Sequence, residues 1–246
     1  MKYLILLLAS AVLLSGCKDE PGPAGPTLTG NIAGKIFLYK DNELHFADES
    51  GVKVSIEENN ISTITKSDGT WQLSNVSAGI YTLVFSKTGF ITGKYYNVQF
   101  VGGGTLYWNY VYVSQIPNVR VSQLEIKPSS TSNNFYIQGK ISSADSLYRD
   151  VAIFFSKEPI TISGTLAYLF EESTYLQPDS TSINDDFTIT DYYKNYYSLS
   201  KGEKLYAISC AMPRTGPFGE YNPVLNTNEL ITSGILFSNI DSLTIH

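Results

Sequence analysis

The sequence predicts an all-β protein arranged as two tandem β-sandwiches behind a short N-terminal leader. Three observations carry that reading. The chain holds 18 Tyr and 12 Phe, and with Val, Ile and Thr these residues favour pleated, half-buried surfaces. Short apolar or alternating segments recur between Gly, Asp-Gly and Pro punctuation, the rhythm of sandwich strands. At 246 residues the chain has room for one or two domains, and its strand-like segments fall into two groups.

The leader comes first. Lys2 supplies a positive start, residues 3–14 form a mostly apolar run, and small residues then precede Cys17. This is the pattern of a secretory signal peptide over residues 1–16. The run is shorter than the ~20 apolar residues that a membrane-spanning helix needs. The tetrapeptide Leu14-Ser15-Gly16-Cys17 resembles the bacterial lipobox. That resemblance implies cleavage before Cys17 and acylation of its thiol, each buried methylene adding ~0.8 kcal/mol to membrane affinity. The following Lys18-Asp19-Glu20 resembles the export signal of Bacteroidota-type surface lipoproteins, and a solvated tether would read the same way. With lysine as the second mature residue, the resemblance implies a lipid-anchored outer-membrane protein facing the extracellular side. Residues 17–27 are then the lipidated cysteine and a tether. Pro21-Gly22-Pro23-Ala24-Gly25-Pro26 is too short for a collagen triple helix and reads as a stiff polyproline II spacer.

Residues 28–114 form the first block. Gly30 to Tyr39 alternates loosely, and Val52, Val54 and Ile56 share one face of the next strand. Asp68-Gly69 supplies the positive φ of a tight turn before Trp71-Gln72-Leu73. Ala78-Gly79 ends that segment, residues 80–85 form another strand, and Lys87-Thr88-Gly89-Phe90 turns again. Gly102-Gly103-Gly104 separates the last two strands, for seven or so in all. The turns and spacings Gly51-Val52, Asp68-Gly69-Thr70-Trp71, Gly79-Ile80-Tyr81 and Lys87-Thr88-Gly89-Phe90 resemble the carboxypeptidase regulatory-like domain, a transthyretin-like, carbohydrate-binding-like sandwich. The resemblance implies a fold and no activity. Alternation predicts that Tyr96, Val98 and Phe100 point inward and Tyr95 outward. It also predicts that Leu106, Trp108, Tyr110 and Tyr112 face the core, with Tyr107, Asn109, Val111 and Val113 outward.

Residues 115–246 form the second block. Residues 135–141 and 151–156 are strands, and Phe187 to Tyr197 is a long extended candidate. Leu199, Gly202 and the Tyr206-bearing strand resemble the corner of a fibronectin type III domain, which implies that the Tyr206 hydroxyl bonds back to the backbone. The loop at residues 216–219 then precedes a last strand, Leu230 to Phe237. Residues 160–185 exceed a minimal domain and predict an insertion.

A net charge of -6 argues against nucleic acid and against electrostatic docking on anionic lipid. With Cys17 acylated, Cys210 has no intramolecular partner; it reads as a reactive thiol or, better, as a small buried hydrophobe. Glu57-Glu58, Glu171-Glu172 and Asp185-Asp186 are adjacent carboxylates. Neighbours on a strand point to opposite faces, so none is itself a glycosidase dyad, and solvated turns explain them better. His45 and His246 lack ligand spacing, and no nucleophile elbow, Cys-His pair or phosphate loop is present. No catalytic residue, metal or cofactor is expected.

The aromatics point elsewhere. On an extended 187–199 segment, Phe187, Ile189, Tyr193, Tyr197 and Leu199 share the core parity. Tyr192 and Tyr196 then stand exposed, where flat rings stack on a sugar's apolar face. Phe218 and Tyr221 occupy a loop of the kind that binds partners. These four residues are the expected ligand contacts. The chain therefore reads as a non-enzymatic accessory binding or adhesion module for glycan. Two other readings stay open: a structural or assembly subunit of an outer-membrane or fimbrial complex, and a hydrolase whose dyad, with Glu171 or Asp185, forms across the domain junction.

Overall fold

The computed structural model describes residues 28–130, 133–142, 149–213, 215 and 219–246; Cys17, Lys18, Asp19, Glu20 and Phe218 lie outside the described residues. The fold is all-β. In the first block the strands are β1 (Thr29–Tyr39), β2 (Lys53–Ile56), β3 (Ser62–Ile64), β4 (Thr70–Ser77), β5 (Gly79–Ser86), β6 (Gly93–Phe100) and β7 (Thr105–Ser114). They form two sheets, β4-β1-β7 and β3-β2-β5-β6. Between them Ile32, Ile36, Val54, Leu73, Leu83 and Phe85 make a core from which water is excluded. The β1–β7 pair is parallel and the others are antiparallel.

Asp68-Gly69 does more than turn a hairpin. Gly69 has φ +78°, and a Cβ there would lie 2.2 Å from the Ile36 carbonyl oxygen. The turn joins β3 to β4, which belong to different sheets, so it carries the chain across the core.

Two bulges overturn the expected facing of the first-block tyrosines. In β6 the pairing passes from Tyr81↔Val98 to Leu83↔Tyr95, and Asn97 sits at φ +56°. The extra residue reverses the alternation. Tyr95 therefore packs inward, edge-on to Phe85 and Trp108, while Tyr96 turns out of this core. In β7 the pairing passes from Gly34↔Trp108 to Ile36↔Val111. Val111 and Val113 consequently enter the core, and Tyr110 and Tyr112 stand outside. Trp108 keeps its inward place against Tyr95.

The second block contains β8 (Val121–Pro128), β9 (Asn134–Ile141), β10 (Arg149–Ser156), β11 (Thr165–Tyr168), β12 (Phe170–Leu176), β13 (Ser182–Thr188), helix α1 (Asp191–Tyr196), β14 (Lys204–Met212), β15 (Glu220–Asn222), β16 (Thr227–Ile231) and β17 (Asp241–Thr244). Sheets β13-β9-β8 and β12-β10-β14-β17 enclose Phe135, Ile137, Ile153, Phe155, Phe170 and Leu205. A third sheet, β11-β16-β15, covers the other face of β10 and β14 over Phe154, Ile208, Cys210, Leu166, Tyr168 and Leu230. Both faces of the central sheet are thus buried, which explains the unbroken apolar run Val151-Ala152-Ile153-Phe154-Phe155.

Three expectations for this block are corrected. The extended candidate stops at Thr188, because Thr190 caps α1 by accepting a hydrogen bond from the Tyr193 N–H and Asp191 sits favourably in the first turn. The edge strand of the central sheet is β17, Asp241–Thr244, since Gly234 at φ +80° turns the chain away after β16. Leu230 belongs to β16, and Phe237 makes only an isolated bridge to Cys210. Among the described residues the Tyr206 hydroxyl meets no backbone acceptor; its ring lies under the Lys204 ammonium at 4.9 Å. Of the long 160–185 segment, β12 and the start of β13 belong to the sandwich, and only β11 builds the third sheet.

The third sheet also touches the first block. The Tyr96 hydroxyl donates to Glu229 Oε2 at 2.7 Å, and Asn222 Nδ2 donates to the same oxygen at 2.8 Å. Ser114 Oγ donates to the Thr215 carbonyl, and Ile91 enters the Phe154 cluster.

Candidate functional site

Helix α1 is one and a half turns of Asp-Tyr-Tyr-Lys-Asn-Tyr, with Tyr197 as its C-cap. It sorts its tyrosines onto two sides, as residues four apart on a helix share a face. Tyr193 and Tyr197 face inward, each with its ring centroid 5.2 Å from that of Phe170. Tyr192 and Tyr196 face outward, both 69% exposed, with centroids 5.7 Å apart and planes within 20°. The expected exposure of this pair therefore holds in a different element. A spacing of four returns to the same side in a strand and in a helix alike.

Tyr196 also lines a cleft of about 590 Å³ with Tyr168, Tyr197, Tyr221, Asn226 and Asn228 as its main side chains. The structure thus brings together two of the expected contacts, Tyr196 from α1 and Tyr221 from β15. Tyr192 extends the aromatic surface by stacking on Tyr196.

Pairing of β11 with β16 sets the cleft's polar wall. Thr227 Oγ1 donates to the Tyr168 carbonyl at 3.2 Å, and Asn228 Nδ2 donates to the Leu169 carbonyl at 3.1 Å. Asn226, at φ +54°, accepts from the Tyr221 hydroxyl at 2.6 Å. That bond holds the Tyr221 ring, itself 51% exposed, beside the turn. Asn226, Thr227, Asn228 and Tyr168 are the contacts that sequence reading missed. The signal available was the polar Asn-Thr-Asn run just after an exposed tyrosine.

Among the described residues no Asp, Glu, Lys, Arg or His lines this cleft. Its polar groups are phenols, amides and hydroxyls. Burial and a hydrogen bond to Glu172 push the Tyr193 hydroxyl up to about 12, and burial raises Tyr197 as well. Burial, with the charges of Glu171 and Glu220 behind it, raises Tyr168 further. These phenols keep their protons at physiological pH and serve as donors. An uncharged, hydroxyl-rich ligand with apolar faces fits such a surface.

The carboxylate pairs are not among the residues that line the cleft, although Glu171 and Glu172 lie just behind its Tyr168 and Tyr197. Glu57 pairs with Lys94 at 2.6 Å, and Glu58 accepts the Thr82 N–H. Glu171 and Glu172 are not in a turn: they lie half-buried within β12, Glu171 near Tyr168 and Cys210 and Glu172 against Tyr193 of α1. Burial pushes the Glu171 carboxyl up to about 7, with the neighbouring Glu172 charge adding to it. Asp185 and Asp186 lie on β13, both exposed, and Asp185 accepts the Asp186 N–H. Asp185 and Glu171 therefore sit in different sheets. Cys210 is fully buried, and burial raises its thiol far above the usual range.

No family model matches this chain, and no curated protein matches it. Among solved structures it is similar to a candidate carbohydrate-binding protein from Bacteroides uniformis, at 11% identity over 90% of this chain and 100% of that one, TM-score 0.31. A DUF3823 family protein from Parabacteroides merdae matches at 13% identity over 87% of this chain and 100% of that one, TM-score 0.30. A chain of a type II cohesin–X-dockerin complex from Acetivibrio cellulolyticus matches at 21% identity over 34% of this chain, TM-score 0.29. That match spans 56% of the cohesin-complex chain. At TM-scores of about 0.3, none of these likenesses bears on what this chain binds.

Proposed function

We propose that this chain is a non-enzymatic glycan-binding protein of the cell surface, held at the outer membrane by acyl chains on Cys17. The observation that carries the reading is the convergence of Tyr196 and Tyr221 on one uncharged cleft walled by Asn226 and Asn228. Rings of this kind stack on the apolar face of a pyranose, while amides and phenols meet its hydroxyls. The ligand is a neutral polysaccharide. We read binding at this place as non-catalytic; the described residues around the cleft offer phenols, amides and hydroxyls.

The test is affinity electrophoresis of the full chain, in non-ionic detergent, through gels containing neutral polysaccharides such as xyloglucan, laminarin, mannan and starch. Retardation by at least one polymer is expected, weakened about tenfold in Tyr196→Ala/Tyr221→Ala, a loss of about 1.4 kcal/mol. Unchanged migration in every gel contradicts the proposal. So does retardation that this double variant leaves intact.

A further inference from the structure

We propose that the outer face of sheet β4-β1-β7 is a second binding surface, and that it takes acidic polysaccharide. It rests on the general reading of the chain as a glycan binder, and it uses neither the residues nor the charge character of the α1 cleft.

The bulge in β7 is what creates this surface. Tyr107 faces outward by alternation, and because the pairing slips between Trp108 and Val111, Tyr110 and Tyr112 turn away from the core beside it. They are 78%, 63% and 43% exposed. Phe37 of β1 sits among them, its centroid 5.1 Å from Tyr110 and 5.9 Å from Tyr112, nearly parallel to the latter. A single edge strand thus presents a row of rings to solvent. Exposed rings grouped on one sheet face suit an interaction site.

Beside the row lies a groove of about 780 Å³, floored by Ala33 and Gly34 and walled by Gln72, Tyr107, Tyr110 and Lys66.

Charge selects the ligand class. Among the described residues the charged side chains lining the groove are Lys35 and Lys66, and no carboxylate lines it, although the chain carries a net charge of -6. The nearest acid to Lys35 is Glu49, 4.0 Å away, which is buried beneath and also contacts His45 at 2.5 Å. The Lys35 ammonium lies over the Phe37 ring at 4.8 Å, within the aromatic row. Asp68, next to Lys66 in its turn, directs its carboxylate to the Thr70 N–H and hydroxyl. Rings for the sugar faces and two ammonium groups for anionic substituents define a polymer whose units carry carboxylate or sulfate.

Affinity electrophoresis of the full chain tests this with polygalacturonate, which offers carboxylates, dextran sulfate, which offers sulfates, and unmodified dextran as the uncharged control. The expected result is retardation by polygalacturonate or dextran sulfate beyond that in dextran, the retarding gel naming the anionic group. Tyr107→Ala/Tyr110→Ala and Lys35→Gln/Lys66→Gln each weaken binding about tenfold, while Tyr196→Ala/Tyr221→Ala leaves it unchanged. Lys201→Gln/Lys204→Gln, with the same loss of charge elsewhere, also leaves it unchanged. Circular dichroism of each variant matching the parent keeps loss of binding distinct from loss of fold. Three results would overturn the proposal: no retardation in either acidic gel, retardation that survives Tyr107→Ala/Tyr110→Ala, or retardation lost on removing Tyr196 and Tyr221. The last would assign the acidic ligand to the α1 cleft. A neutral ligand lost at the cleft, with acidic binding intact here, separates the two readings.

Discussion

The two halves of the molecule solve the burial of a sheet in opposite ways. In the first block, sheet β4-β1-β7 has a core on one face only, and its other face carries Phe37, Tyr110 and Tyr112 in the open. In the second block, sheet β12-β10-β14-β17 is covered on both faces, by Phe155 and its neighbours on one side and Phe154 and its neighbours on the other. Extra backbone was needed for the second solution: β11, β15 and β16 exist only as the added layer. The contrast separates aromatic residues that stabilise from those free to bind. Phe154 and Phe155 are 0% exposed and belong to the first kind; Tyr107, Tyr196 and Tyr221 belong to the second.

The sharpest way to break that comparison is to truncate one ring from each kind. Phe154→Ala removes a fully buried ring from between two sheets and is expected to cost about 3–5 kcal/mol in urea unfolding. A cost below about 1 kcal/mol would mean that the third sheet does not pack on the central one.

The next effect comes from the half-buried acid Glu171 of β12. Glu171 ionises near 7 in the folded protein, above its ordinary 4.5. Between those values the folded state holds a proton that the unfolded chain has released. Stability from this group is therefore full below about pH 4.5, falls as pH rises through 4.5 to 7, and levels off above. Allowing for its partial exposure, the loss at pH 8 is about 1–3 kcal/mol. Glu171→Gln should raise the thermal midpoint at pH 8 and flatten the profile between pH 5 and 8; an unchanged profile would place the carboxylate in water.

Contact between the halves is worth less. Tyr96→Phe deletes the hydroxyl that donates to Glu229 across the blocks, and a hydrogen bond to a charged acceptor contributes about 1.5–3 kcal/mol at most. A loss of about 1–2 kcal/mol in chemical denaturation is expected, and none if Glu229 is already satisfied by Asn222. The smallest effect falls on the open face: Tyr107→Ala should change stability by less than about 1 kcal/mol, because its ring is 78% exposed. A cost near that of Phe154→Ala would show a covered face instead.

Much of this was legible in the residues, for reasons that also explain the failures. Two-sided burial of β10 is written in its unbroken apolar run, although the covering sheet itself is not. Exposure of Tyr192 and Tyr196 was readable because a four-residue spacing suits strand and helix alike; the helix was signalled by Thr190 and Asp191 and lost to the alternation around them. Facing in β6 and β7 was not readable by parity, since one inserted residue inverts every side chain beyond it. Asn97 at positive φ is the only local mark of the first bulge. The cleft is hardest of all. Tyr196 and Tyr221 line one cleft through long-range contacts, α1 packing on Phe170 and β16 pairing with both β11 and β15, that no local pattern encodes.

The central claim is that rings left free by this architecture bind glycan. Its most direct test is the migration of the full chain and of Tyr196→Ala/Tyr221→Ala through matched native gels containing neutral polysaccharides. The account predicts retardation of the parent by at least one polymer and about tenfold weaker retardation of the variant, with both unfolding at the same temperature. Equal migration of the two proteins in every gel, retarded or not, would contradict it.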